Sequence, residues 1–407
     1  MNVQKHTRRR FLTSSAAATL GAAAVGTAAG TQLPHKGTAS AAPSPTHHTP
    51  SSIPFFGAHQ PGIADPTPTN AVFLAFDLKD STVKSDLADV MRAWTGLAAA
   101  LMRGDTSADT SLVSTGSTPG KFTMTVGLGG AALDQLDIKR PPALVDLPWF
   151  PGDELEVAAS HGAVFVQLCS DDAIYLGGAV RAVRVAAKRV LRPRWQMNGF
   201  RGAAASTASS NGRNLMGQID GTNNIAVSRA STGGPVWVDA VSPAWMTGGS
   251  YVVVRRFRIL LSKWESAGSS TRDHAVGRHI PSGAPLGAHK ESDPVDLNAK
   301  DPSGALIIPD DAHIRLAAPR RGAGEEMLRR SYSYSIGQAS GAAGDEDAGL
   351  IFVSYQADPT TSFIPVQQRL AKSDALAHFT LATSSALFAI LPGVVGRHDW
   401  YGRSLLS

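Results

Sequence analysis

A single cysteine, Cys169, in 407 residues excludes an intramolecular disulfide. Acids are missing from residues 1–41, which hold Lys5, Arg8, Arg9, Arg10 and Lys36. Those five bases equal the formal surplus of +5, so the chain beyond them is formally neutral. Neutrality removes any charge argument for a nucleic-acid partner, which needs a basic patch on the mature protein. A long Leu-rich apolar run is also lacking. The apolar stretch Ala16–Gly30 is built from Ala and Gly and gives way to a Pro/Ser/Thr/His tract, which argues against stable membrane insertion.

What is present at the start is an export signal. Arg8-Arg9-Arg10-Phe11-Leu12 opens it, the short apolar stretch follows, and Ala39-Ser40-Ala41 supplies a small-residue cleavage pattern. Paired arginines before Phe-Leu point to the twin-arginine machinery, which carries proteins already folded. The expected destination is extracellular, cell-envelope or periplasmic. Residues 1–41 then form the signal peptide and 42–52 a linker, whose His47-His48 is an exposed pair of the kind that usually binds nothing.

Beyond Ile53 the patterns alternate. Val72–Asp77, Phe122–Gly127 and Val164–Leu168 read as strands, and Lys84–Ala100 and Asp172–Arg192 as helices with apolar positions at helical spacing. Cys169 ends the third strand and reads as an inert core thiol. Strand, helix, strand, strand, helix describes a ferredoxin-like unit. The pattern restarts after Gly202–Gly212, with strands at Tyr251–Leu261, Leu350–Tyr355 and Ala386–Leu391 and helices at Lys263–Ser266 and Ser362–Lys372. The expected fold is α+β, with two ferredoxin-like domains at 53–205 and 206–407. The aperiodic passage Arg272–Ala318 is long enough to suggest a functional loop.

Three polar clusters stand out. In Arg213–Asn224, Gly217 and Gly221 flank Asp220, so the carboxylate is either a fixed general base or part of an Asx-turn. In Asp310–Arg320, His313 beside two acids is either a surface hydrogen bonder or a ligand. Met327–Ser335 alternates as a strand, with an edge strand bearing solvated arginines as the plain alternative.

Taken in order, Gly217-Gln218-Ile219-Asp220-Gly221, His313-Ile314-Arg315-Leu316-Ala317-Ala318-Pro319-Arg320 and Leu328-Arg329-Arg330-Ser331-Tyr332-Ser333-Tyr334 resemble the motifs of the dye-decolorizing peroxidases. The likeness extends through Gly57–Ile63, Pro151–Leu155, Trp245–Arg256, Gly277-Arg278, Ser282–Leu286 and Gly349–Gln356. The resemblance implies one haem b per chain in the C-terminal half. With one cysteine there is no C-x-x-C-H, so that haem is expected to be non-covalent. By the same resemblance His313 is the proximal iron ligand, with His289 the next histidine to consider, and Asp220 is the distal acid–base. Arg329 is the distal cation and Arg330 the secondary choice, facing the opposite side of the sheet. Gly221, Thr222, Asn223, Ala318, Pro319, Arg320 and Arg329 are the implied haem contacts. Asp347 is a candidate carboxylate for the second ring nitrogen of His313.

The implied activity is oxidation of dyes, phenols or other reducing substrates, small or polymeric, by hydrogen peroxide. Surface Tyr or Trp could relay electrons to bulky substrates, with Trp245, Trp264 and Trp400 among the candidates. The alternative function is haem or iron handling without organic turnover. A homo-oligomer is left open.

Overall fold

The computed structural model describes residues 53–202, 212–231, 233–239, 243–320, 322–338 and 346–407; the export signal and His47-His48 lie outside them. Along these residues the chain runs β1 (Asn70–Leu78), α1 (Lys84–Met102), β2 (Thr123–Leu128), α2 (Gly130–Gln135), β3 (Val164–Ser170), α3 (Ala173–Ala187) and β4 (Leu191–Phe200). It continues through α4 (Val227–Ser231), β5 (Ser250–Ile259), α5 (Leu261–Ser266), α6 (Ser269–Val276), α7 (His313–Ala317), β6 (Leu328–Arg329) and β7 (Tyr332–Gln338). The last elements are β8 (Glu346–Gln356), α8 (Phe363–Ser373), β9 (Thr380–Ile390) and α9 (Arg403–Leu406).

The first half orders its strands β2-β3-β1-β4 and the second orders them β9-β5-β8, with β6 and β7 both on β8. Each order is that of a ferredoxin-like unit, and the fold is α+β. The halves join where β2 meets β9 and β4 meets β7, and the β5–β8 pairing closes the sheet into a barrel. At the first seam Gly127 matters, because a Cβ there would stand 2.7 Å from Ile390 Cδ1. The Gln60 side chain bridges the same seam, donating to the Val126 and Leu391 carbonyls and accepting from the Val126 N–H.

Strands of both halves contribute to one buried cluster, which includes Phe73, Phe165, Trp195, Val254, Tyr332, Tyr355 and Phe388. Phe165 stacks on Phe388 with ring centroids 4.8 Å apart. The two halves therefore share a core, and Thr49–Ser407 groups as one compact unit. The expected boundary near 205 falls among residues outside the description. Cys169 is fully buried, its sulfur 3.5 Å from the Tyr332 hydroxyl, and burial pushes its pKa up, as befits an inert thiol. On the opposite face α1 and α3 cover the first half, and Trp94 Nε1 donates to the Val183 carbonyl at 3.0 Å.

Two expectations need correction. The helix expected over Asp172–Arg192 ends at Ala187, and Leu191–Phe200 is a strand. Pro193 cannot continue a helix. It pairs with Phe76 beside a register shift, a position where sheets tolerate proline. In addition, Met327–Ser335 is not a single edge strand with solvated arginines, since Arg330 is buried and only the two-residue β6 lies at the end of the strand order. It breaks into β6 and β7, and β7 lies between β4 and β8. Among the described residues, no helix is long and apolar enough to cross a membrane.

Candidate active site

The Asp220 loop is built by glycine geometry and pinned by an arginine. Gly217 and Gly221 both take positive φ, and Asn223, at φ 57°, occupies the left-handed region that asparagine tolerates. Arg213 donates to the carbonyls of Gly217, Ile280 and Pro281, tying the loop to the segment after α6. Thr222 Oγ1 donates to Glu291 at 2.6 Å, and the Asp220 N–H bonds the Gly212 carbonyl. The Asp220 carboxylate itself makes no hydrogen bond among the described residues.

Asn224 then clamps this loop to β6. Its side-chain amide donates to the Arg329 carbonyl at 2.7 Å and its oxygen accepts from the Arg329 N–H at 2.9 Å. The clamp ties together the segments that carry the two distal candidates, 109 residues apart by number. Arg329 Nη2 donates to the Thr222 carbonyl at 2.8 Å and makes no direct bond to Asp220. Burial holds the Arg329 pKa below its ordinary value and the Asp220 charge offsets part of that effect, so the carboxylate lies within the field of the cation.

Arg330 faces the other way. It is buried and donates to the carbonyls of Ile63, Asp65 and Pro66 and to the Thr67 hydroxyl, fastening the first segment of the described chain to the barrel. Its guanidinium is occupied there, on the side of Cys169 and Tyr355.

His313 opens α7, a five-residue helix with no fully buried side chain. Its Nδ1 lies 2.7 Å from the Asp374 carboxylate, which also accepts from the Leu376 N–H. The Ala375 N–H donates to the Asp311 carbonyl, so backbone as well as side chain fixes this meeting. Asp347 is therefore not the partner of His313. It lies on β8 and accepts from the Tyr334 hydroxyl at 2.8 Å. His289 is exposed on a turn where its own N–H donates to Asp293.

The far end of α7 is held by Arg369. This residue donates to the carbonyls of Leu316 and Ala318 and to both oxygens of Glu325. Glu325 accepts in turn from the Arg320 N–H. Ala318 is half-buried, while Pro319 and Arg320 are exposed. Asn224, Glu325, Arg369 and Asp374 all lack a motif of their own, and only their partners reveal them.

The donor set fits a haem held through His313. The ring's Nε2 has no partner among the described residues, and the carboxylate on Nδ1 fixes the ring and makes it more electron-rich. Half-buried Met327, Phe352 and Ile364 supply apolar surface in the same half. The relay candidates fare unequally. Trp264 is buried, with its Nε1 donating to the Met216 carbonyl. Trp245 and Trp400 are partly exposed, and all six tyrosines are buried, so none is a surface relay.

Comparison with known proteins gives a consistent result. Residues 60–201 match the model of the N-terminal domain of Dyp-type peroxidases and residues 211–395 that of the C-terminal domain. A dye-decolorizing peroxidase from Thermobifida fusca is 39% identical over 96% of this chain and 95% of its own length. A deferrochelatase from Escherichia coli is 34% identical over 87% of both chains. A crystal structure of a DyP-type peroxidase from Streptomyces coelicolor superposes with a TM-score of 0.84 at 38% identity, covering 88% of this chain and 98% of that one. With both halves matched in order around one closed barrel, the chain belongs to the Dyp-type peroxidase family, an oxidoreductase that uses haem as its cofactor.

Proposed function

We propose that this chain is an exported peroxidase that uses hydrogen peroxide to oxidise dyes, phenols or other reducing substrates, with one non-covalent haem b per chain. The observation that supports the reading is the Asn224 clamp, which ties the Asp220 loop to the Arg329 backbone, with the Asp220 charge acting on the Arg329 guanidinium. His313, braced by Asp374, would hold the haem iron through Nε2. Storage or transport of haem needs an axial ligand but no acid–cation pair.

Bound haem supplies the iron that binds peroxide and accepts its oxidising equivalents. Asp220 would accept the proton from one peroxide oxygen and pass it to the other, which would leave as water. Arg329 balances the negative charge that grows as the O–O bond lengthens. Asp374 holds the imidazole in one orientation and one tautomer by accepting from Nδ1. Cys169 offers no covalent tether, because its thiol is fully buried in the barrel.

Stopped-flow mixing with peroxide tests the distal pair. Arg329→Leu should slow haem oxidation by roughly 10²–10³-fold, and Asp220→Asn by roughly 10²–10⁴-fold, with haem content retained. Wild-type rates in both variants would remove these residues from the distal role. The export part is tested by replacing Arg8 and Arg9 with lysine, which should trap precursor in the cytoplasm. Unimpeded export of that variant would point to the general secretory route.

A second reading, iron release from haem without organic turnover, is favoured by the deferrochelatases among the relatives. Metal-free porphyrin fluorescence appearing when the protein is incubated with haem alone supports it. Dye or phenol turnover with peroxide and no porphyrin release supports the first.

A further inference from the structure

A groove of about 730 Å³ lies between the outer face of α1 and the segment Arg397–Trp400. Its wall carries three guanidinium groups, Arg92, Arg103 and Arg397, and two aromatic rings, Phe56 and Trp400. Arg92 stacks over Trp400 at 4.4 Å from the ring centroid, while its Nη1 also pairs with exposed Asp89 at 2.7 Å. The one lining carboxylate, Asp399, is already committed, since its oxygens accept from the Val395 and Trp400 N–H groups. The side chains of Arg103 and Arg397 are exposed and make no hydrogen bond among the described residues, although the Arg103 charge also acts on Asp105. The groove is thus cationic and partly aromatic.

Its floor carries a second signal. Arg92, Gly96 and Ala99 on α1 and Arg103 at its C-cap follow helical spacing along one face, with the two small residues between the two cations. Glycine inside a helix is destabilising relative to alanine. Close packing usually repays that cost, but a Cβ at Gly96 would meet nothing within 4 Å. Packing does not demand this glycine. What its absent side chain leaves is depth between the arginines. The groove is also braced, because the Tyr401 N–H donates to Thr95 Oγ1 and its hydroxyl to the Met124 carbonyl.

We propose that this groove binds a planar aromatic anion, a sulfonate or carboxylate. The ring lies along the Gly96–Ala99 floor beside Trp400 and the anionic group meets Arg103 and Arg397. A volume of this size suits one small ligand. Resting on the peroxidase reading, the same groove docks anionic aromatic reductants for that activity.

Calorimetric titration of the holoprotein with naphthalene-2-sulfonate, without peroxide, tests the site apart from the activity. Binding should be measurable, should weaken at least tenfold in Arg103→Gln/Arg397→Gln, and should vanish in Gly96→Leu. The neutral 2-naphthalenemethanol should bind far more weakly to all three proteins. Gly96→Leu should melt no lower than wild type, because leucine favours the helix and its Cβ meets nothing within 4 Å. Undetectable binding to wild type, or equal binding to the variants, overturns the site. In turnover, both variants should raise KM for a sulfonated dye and leave the peroxide reaction of the haem unchanged. An unchanged KM beside weakened binding overturns the substrate clause, whereas a protein with no turnover at all fails the peroxidase reading and leaves the titration standing.

Discussion

Between β1 and β2 the chain lays down α1, a 19-residue helix with eleven buried residues that runs along the sheet. At the equivalent place in the second half, between β5 and β6, it makes only short helices of six, eight and five residues. Helices that short have no stability of their own in water. Arginines hold this passage in place by bonding backbone carbonyls. Arg315 reaches Leu297, Ile308 and Pro309, Arg278 reaches Gly283 and Glu291, and Arg213 and Arg369 do the same at its borders. One crossover is positioned by apolar area and the other by directional bonds. Directional bonds leave side chains such as His313 half-exposed and free to act, where burial would have consumed them. The site lies on the half that has less core.

The comparison predicts that damage will separate. The largest effect should come from His313→Ala, which removes the proposed iron ligand from a helix end that contributes no fully buried residue. Purified variant should lose most of its haem, or its normal absorbance spectrum, while the apoprotein melts near the wild-type apoprotein. Full haem content with an unchanged spectrum would move the ligand elsewhere. The mirror experiment is Met91→Ala in α1, where the side chain is fully buried. It should cost about 2–5 kcal/mol in chemical denaturation and leave the haem spectrum unaltered. A spectral change there would mean that the packing of α1 reaches the haem site through the shared core.

Asp374→Asn is the finer probe. Asparagine can still meet His313 but no longer carries the charge that makes the ring electron-rich. Losing such a partner typically weakens metal binding or activity by about 10–100-fold. Haem affinity or the rate with peroxide should fall by that much, with Asp347→Asn as the control that changes neither. An effect of Asp347→Asn equal to that of Asp374→Asn would contradict the geometry around His313.

Asp347 and Asp374 also show where the sequence was legible. Asp220, Arg329 and His313 each sit in an ordered motif, and the structure places the first two under one clamp. The strands around Val72, Phe122, Val164, Leu350 and Ala386 declared themselves as runs of apolar residues because both their faces are covered. β4 escaped notice because Leu191-Arg192-Pro193-Arg194 looks like the tail of a helix, although Leu191, Trp195 and Met197 alternate with exposed residues. Asp374 escaped for a different reason. It starts a short 3-10 turn in an ordinary Ser-Asp-Ala context, 61 residues from His313, and only the folded chain brings them together. Partnerships across that distance leave no local pattern, so helix-end carboxylates near a site are invisible without coordinates.

The smallest effect concerns the Arg369–Glu325 pin and carries a sign. Burial alone would raise the Glu325 pKa, but hydrogen bonds from Arg369 and the Arg320 N–H, with the charges of both arginines, bring it below the ordinary glutamate value. A carboxyl group whose folded pKa is depressed adds stability above its unfolded value, roughly 4.3, and loses it as pH falls through the folded value. Both side chains of the pair are largely buried, so solvent does not screen the pair away. Glu325→Gln should therefore be less stable than wild type by on the order of 1 kcal/mol at pH 5–7, with the gap closing as pH falls below about 4. The pin holds the carbonyls of Leu316 and Ala318, so the loss should be local as well as global. Hydrogen exchange in the peptide covering residues 313–320 should speed up in Glu325→Gln at neutral pH and in both proteins at pH 3, while α1 stays protected. A stability gap that stays constant from pH 7 to pH 3 would show that the carboxylate charge is not what holds the end of α7.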